Sequence, residues 1–472
     1  MSKYKETMSN VDTAWLQMDR PTNLMMIAGF MTFDEPIDYE RLVVTIERRL
    51  LAFDRFRQRV VSPRVPFGNH TWELDPHFDI RAHVHRAALP APGGRRELEE
   101  MMSDIISTPL DRSRPLWQFH LLEGYGDGCV VASRLHHSIA DGIALMRVLL
   151  SMTDLTPDAP SPPSNRDEPR GKRRGLIGAA VSPATSLVRT TGHMADLALQ
   201  RSLDTFRHPS RLVDAARFGT ASTTRLAQMA LRSPDPRTLF KGDLGITKRT
   251  AWTDALPLSE VKSVAKALRG TVNDVMLSVV SGALRRYLLD HNYDVDGLTI
   301  RGMVPVNLRP LDAPLELGNR FGLVMATLPL GASDVHERFI ETRRYMQELK
   351  DSPEAIVAFG VLQALGMTPT DIEGLFLDFF ASKTSAVITN VPGPQVQLYL
   401  AGSPLREIMA WVPQSGGLGM GISIISYNGG VMVGITTDAG LVPNPREIVD
   451  NAYIEFEALK QLAADVVSRA QV

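Results

Sequence analysis

The 472-residue sequence predicts an α/β (α+β) fold in which two sheet-and-helix units are joined by a helical linker. Segments with helical recurrence mix with alternating, strand-like segments up to about residue 154, and the same mixture returns after about residue 249. Between them composition breaks at Thr156-Pro-Asp-Ala-Pro-Ser-Pro-Pro-Ser164, a Pro/Ser-rich stretch that ends the first unit. The charge also changes there: sixteen Lys or Arg face eight Asp or Glu between Pro157 and Thr250, so this segment is +8 and the remainder of a chain of net charge -2 is -10. The expected division is therefore 1–155, a basic linker over 156–249, and 250–472.

In the first unit, Ile37 to Leu51 repeats apolar residues at helical spacing, while His70 to Leu74 and Ile80 to Val84 alternate as strands do. Gly128 to Leu135 is an apolar strand, and Gly142 to Leu150 has the helical recurrence Ile143, Met146, Leu149, Leu150. The linker opens with Arg170-Gly-Lys-Arg-Arg174 and continues into His193 to Leu199 and Thr224 to Leu231, which suit amphipathic helices. Such a segment serves as a solvated spacer with packing helices, or as a surface that meets anionic lipid headgroups. In the second unit, Val279 to Leu289 reads as a helix. Ala386 to Thr389, Gly421 to Ser426 and Val431 to Thr436 read as strands rich in β-branched residues.

A hydrophobic content of 44% provides for real cores, and the net charge argues against a nucleic-acid binder that works through bulk positive charge. The single cysteine, Cys129, leaves no internal disulfide to form, and its apolar neighbours Val130, Val131 and Ala132 mark it as a packed small side chain. No leader-like N-terminus and no run of about 20 apolar residues is seen, so the expected location is cytoplasmic, soluble or peripheral on a membrane.

The chemistry concentrates at Arg134-Leu-His-His-Ser-Ile-Ala-Asp-Gly-Ile143, a strand-to-helix turn with two adjacent histidines. An imidazole that is largely neutral at cytoplasmic pH can take a proton from an alcohol or amine and return it within one reaction cycle. Adjacent histidines do not easily share a coordination sphere, and no H-E-x-x-H or Cys/His cluster accompanies them, so no metal is expected. A nucleophile elbow G-x-S-x-G is absent too, with Gly402-Ser-Pro and Gln414-Ser-Gly-Gly the nearest approaches. Two satisfied turn histidines would be the plainer reading, were it not for the joint pattern H-H-x-x-x-D-G formed by His136, His137, Asp141 and Gly142.

That pattern resembles the signature of acyl-CoA-dependent acyltransferases related to chloramphenicol acetyltransferase, and of peptide-synthetase condensation domains. Further blocks narrow it. Asp12-Thr-Ala-Trp-Leu16, Pro109 to Trp117, Thr271-Val-Asn-Asp274, Val304 to Arg309, Leu317-Gly-Asn319, Thr389 to Pro394 and Ser426-Tyr-Asn-Gly429 follow in order. They are similar to the successive blocks of bacterial wax ester synthase/acyl-CoA:diacylglycerol acyltransferases. The chain departs in reading Leu24-Met-Met-Ile-Ala-Gly29 where many members read Pro-Met-His-Val-Gly.

The resemblance implies two chloramphenicol-acetyltransferase-like domains with the reacting centre between them. It also implies O-acyl transfer from long-chain acyl-CoA to a fatty alcohol or to diacylglycerol, with acyl-CoA as co-substrate and no other cofactor. His137 would be the general base in direct transfer, with His136 its supporting neighbour, since strand alternation turns adjacent side chains to opposite faces. Asp141 would hold the turn through an arginine, which the sequence does not identify, or orient the base as in a triad, and Gly142 would keep the backbone clear of substrate or turn, with a plain helix-start glycine as the other reading. Asn273 would hydrogen-bond near the site or cap a helix. Trp117 is expected in the core, and Asn390 to Pro394 as a rigid turn. Partners would be acyl-CoA, the hydroxyl acceptor and a membrane or lipid-inclusion surface, not nucleic acid. A carrier-protein-dependent condensation-type enzyme and a non-catalytic lipid-binding protein of storage inclusions are the alternatives.

Overall fold

Asp38 begins the first long helix because its carboxylate accepts the Arg41 N–H (2.7 Å), and Leu42, Val43 and Ile46 then turn one face inward. The same logic of caps and buried stripes builds the rest of a computed structural model that describes residues 5–63, 70–159, 233–307, 317–319, 321–350, 381–414 and 417–470. In the first half, strands β1 (Lys5–Thr7), β2 (Met26–Phe33), β3 (Gln58–Val61), β4 (Thr71–Leu74), β5 (Val84–Ala88), β6 (Trp117–Tyr125) and β7 (Gly128–His136) are described. They alternate with helices α1 (Asn10–Gln17), α2 (Tyr39–Arg49), α3 (Arg95–Ser107) and α4 (Gly142–Ser151).

The second half contributes β8 (Lys248–Trp252), β9 (Leu256–Pro257), β10 (Thr299–Asn307), β11 (Phe321–Pro329), β12 (Ala386–Pro392), β13 (Tyr399–Leu400), β14 (Ser403–Trp411), β15 (Met420–Tyr427) and β16 (Gly430–Asp438). Its helices are α5 (Leu258–Ala267), α6 (Val272–Asp290), α7 (Val335–Lys350) and α8 (Arg446–Ala470). A sheet in the order β11-β10-β12-β15-β16-β8, with β9 also on β16, lies under α6 and α8, and a small sheet β1-β4-β3 flanks the first half.

The other large sheet runs β13-β14-β2-β7-β6-β5. Residues 399–411 belong to the expected second unit by position in the chain, yet β14 pairs antiparallel with β2, Ala410 opposite Gly29 and Trp411 opposite Ala28. A Cβ on Gly29 would lie 2.6 Å from the Met409 carbonyl, so only glycine admits that approach. The halves meet again where α3 meets β8: Ser103 Oγ accepts the Thr250 N–H (3.0 Å) and Ser107 Oγ the Lys248 N–H (2.8 Å).

Trp117 is fully buried and donates its indole N–H to Phe56 O (2.8 Å), as expected of a core aromatic. Cys129 is buried as well; its Sγ accepts the Ile37 N–H at 3.3 Å, and burial pushes the thiol up to about 11.

Two expectations fail locally. Ile80–Ala82 is a 3-10 turn, because Asp79 accepts the Arg81 N–H (3.0 Å), and the strand starts only at Val84. Asn390 is not in a turn: β12 runs parallel to β15 through Pro392 opposite Ser426, and a proline without an N–H ends it. The linker stretches 170–174, 193–199 and 224–231 lie outside the described residues. Among the described residues, no helix is long and apolar enough to cross a membrane.

Candidate active site

Strand β7 is buried along its whole length and delivers its last residue, His136, opposite Met26 of β2. The chain then turns through Ser138, Ile139 and Ala140 into α4, whose N-cap is Asp141: its carboxylate accepts the Ala144 N–H at 2.8 Å. Asp141 thus holds the turn as a helix cap. A Cβ on Gly142 would stand 3.7 Å from Val412 Cγ1 and 3.9 Å from Ile27 Cδ1, ordinary contacts among the described residues. The expectation that a side chain there would obstruct the turn is corrected.

The two histidine rings have different surroundings. His136 Nδ1 accepts from the Ser138 N–H (3.1 Å) and lies 2.8 Å from Ser138 Oγ, while Nε2 faces Asp19 Oδ2 at 3.7 Å. Asp19 in turn accepts from Arg112 (2.8 Å) and from the Met25 N–H (2.8 Å). Burial works to raise the Asp19 carboxyl, but His136, Arg112 and the Met25 N–H outweigh it and hold it at about 2.

His137 is pinned by its backbone. Its N–H donates to Met25 O (2.8 Å), and its C=O accepts from the Asn319 side-chain amide (2.8 Å). The ring stacks on Trp15 at 3.9 Å and 21°, with Phe321 on another side at 5.6 Å, inside a small apolar cluster that includes Val11, Met18 and Met25. Burial lowers its pKa to about 4, against the opposing pull of the Asp141 carboxylate. The ring is therefore neutral throughout the physiological range, and Nδ1 is buried with no hydrogen-bond partner among the described residues.

Asn319 brings the second half of the chain to this turn. Its amide also donates to Asp12 Oδ1 (2.8 Å) on α1, one turn before Trp15 on the same helix face. Burial raises the Asp12 carboxyl, partly offset by hydrogen bonds from Asn319 and Ser9. Gly318, at φ +102°, bridges to Ala140, and its carbonyl accepts the Asp141 N–H at 3.4 Å; a side chain would strain that left-handed backbone.

Asn273 does not join them. It accepts from the Asn390 side-chain amide (2.6 Å), and the N-cap of α6 is Thr271, whose hydroxyl and N–H both donate to Asp274 (2.8 Å each). The cap reading of Asn273 is thus replaced by a bond across to β12.

Between the halves, beside the face of β2 that carries Met26 and Ala28, opens a cleft of about 410 Å³ including its mouth. Leu24, Met26, Trp411 and Val412 give it apolar walls, with Ile246 on the rim and Lys248 and Gln414 among its polar groups.

Sequence reasoning assigned no chemistry to Asp12, Trp15, Asp19, Asn319 or Phe321. The blocks Asp12 to Leu16 and Leu317 to Asn319 contain three of these residues, Asp12, Trp15 and Asn319; nothing in the sequence marked Asp19 or Phe321.

Residues 8–276 match the family model of the wax ester synthase/diacylglycerol acyltransferase catalytic domain, and residues 317–460 match that of the family's C-terminal domain. A Mycobacterium tuberculosis protein named as a diacylglycerol O-acyltransferase is 30% identical over 97% of this chain and 90% of its own length. Among solved structures, the wax ester synthase/diacylglycerol acyltransferase from Marinobacter aquaeolei VT8 superposes with a TM-score of 0.68. It is 23% identical and covers 97% of this chain and 100% of that one. The first condensation domain of the calcium-dependent antibiotic synthetase follows at 0.58, with 14% identity and coverages of 98% and 97%. The expected α/β architecture of the chloramphenicol-acetyltransferase type is the one found. With both family models matched in order along one polypeptide, this chain belongs to the wax ester synthase/diacylglycerol acyltransferase family.

Proposed function

We propose that the protein transfers a long-chain acyl group from acyl-CoA to the hydroxyl of a fatty alcohol or a diacylglycerol, with His137 as general base. The observation that carries this reading is the neutral, backbone-pinned His137 ring stacked on Trp15. In the reaction His137 removes the hydroxyl proton as that oxygen attacks the thioester carbonyl. The tetrahedral intermediate collapses by breaking the C–S bond, and the imidazolium returns the proton to the CoA sulfur. Donor and acceptor exchange the acyl group directly, and no acyl-enzyme is involved.

A low pKa keeps the base unprotonated, and the Asp141 carboxylate is the nearby charge that favours the imidazolium formed in the transition state. The cleft between the halves is lined by Met26, the strand partner of His136, and not by either histidine ring, so it marks a surface near the turn and carries no part of this reading.

The test mixes purified protein with palmitoyl-CoA and either hexadecanol or a diacylglycerol, follows free CoA thiol and identifies the lipid by mass spectrometry. An ester product with either acceptor is expected and ranks the two. Activity solely with carrier-bound acyl groups, or none with any hydroxyl acceptor, would contradict the reading.

Peripheral attachment to a membrane or lipid inclusion belongs to the same proposal. It is supported by the +8 charge of the linker and by substrates that do not dissolve in water. Flotation with anionic liposomes at low salt should carry the protein upward; a protein that stays at the bottom contradicts attachment.

A further inference from the structure

His136 is held at one nitrogen, and its Nε2 is buried with no hydrogen-bond partner among the described residues, 3.7 Å from Asp19 Oδ2. Its Nδ1 accepts the Ser138 N–H, so the proton of the neutral ring sits on Nε2, and Nε2 faces the Asp19 carboxylate. Asp19 reaches the other histidine by a second route. Its Oδ1 accepts the Met25 N–H, and the carbonyl of that same Met25 accepts the His137 N–H, each at 2.8 Å. One carboxylate thus stands beside the first ring and reaches the second through the Met25 backbone.

We infer that Asp19 is a positioning residue of the acyl-transfer site, favouring the tautomer of His136 that the Ser138 N–H sets and fixing the placement of His137 through the Met25 backbone. The inference rests on His137 being the base. The charge is sustained by Arg112, whose guanidinium bonds Asp19 Oδ2 while its own side chain remains 55% exposed. Arg112 lies in the Pro109 to Trp117 block, so that block contributes an ion pair to the site as well as Trp117 to the core. A base displaced by a fraction of an ångström loses alignment with the hydroxyl it deprotonates, which lowers turnover while acyl-CoA binding through groups away from the base continues.

Asp19→Asn keeps an oxygen for the Met25 N–H and removes the charge; Asp19→Glu keeps the charge at a longer reach. In the full chain with palmitoyl-CoA and hexadecanol, Asp19→Asn should lower kcat about ten- to a hundredfold, with KM for palmitoyl-CoA within about twofold. Asp19→Glu should recover part of that loss. Arg112→Gln, on the surface and safe for folding, should lower kcat in the same direction with KM unchanged, and it carries the test if Asp19→Asn does not fold. A folded Asp19→Asn or Arg112→Gln protein with the parent's kcat overturns the inference. Ring-nitrogen NMR of histidine-labelled protein, assigned with His136→Gln, reads the tautomer without any turnover. Nε2–H at His136 is expected, and Nδ1–H overturns the inference. A parent inactive with every acceptor defeats the acyl-transfer reading, whereas an active parent with an equally active Asp19→Asn variant defeats this inference alone.

Discussion

Gly128 and Gly142 bracket the stretch that carries the histidines, and the space around them differs. A Cβ at Gly128 would fall 1.9 Å from Phe33 O and 2.8 Å from the Asp34 carbonyl carbon, both backbone atoms that have nowhere to go. A Cβ at Gly142 meets nothing among the described residues closer than 3.7 Å, and it starts a helix where alanine is favoured by up to about 1 kcal/mol. Gly128→Ala should therefore lower Tm substantially, and Gly142→Ala should leave it at or slightly above the parent's, as thermal unfolding of both variants will show. A Gly142→Ala protein as unstable as Gly128→Ala would contradict the packing described. A stable Gly142→Ala protein that has lost acyl transfer would instead assign the glycine to substrate clearance. At this scale the sequence marked His136, His137 and Asp141 because they are contiguous, whereas Asp19 and Asn319 reach the turn through space. No local pattern encodes such an approach.

Elements whose apolar period is set by their own neighbours were legible. Strands β7, β15 and β16 and helices α2 and α4 lie within a few residues of the expected bounds, because the helices repeat an apolar face at helical spacing and the strands, buried on both faces, are short apolar runs rich in β-branched residues. The start of α6 was readable in principle. Thr271 and Asp274 form a capping box at the beginning of the block that was searched for chemistry at Asn273. The short strand expected at Ile80 gave way to a side chain, Asp79, that competes for the backbone N–H groups. The pairing of β14 with β2 had no signal. A strand's alternation states which face is buried, and the identity of its neighbour depends on the whole fold.

For the whole molecule, that pairing decides where the histidine turn sits. Residues 399–411 cross to the first sheet, β8 is anchored on α3, and Asn319 ties the second half to the histidine turn. His137 thus lies at a junction maintained from both sides. The interlocking of the two halves was not legible, because it is made of contacts far apart in the chain, 147 residues for Ser103 with Thr250 and 182 for His137 with Asn319. On the proposed function, this junction holds a neutral His137 that deprotonates the acceptor hydroxyl. The direct measurement is CoA release from palmitoyl-CoA by the parent and by His137→Ala, each shown to be folded, between pH 5 and 8. With its pKa lowered to about 4, His137 stays unprotonated down the whole range, so its protonation should not depress the parent's rate near pH 6.5. His137→Ala should lose about a hundredfold to ten-thousandfold in kcat. A folded His137→Ala protein that releases CoA at the parent's rate, with ester formed, would contradict the account.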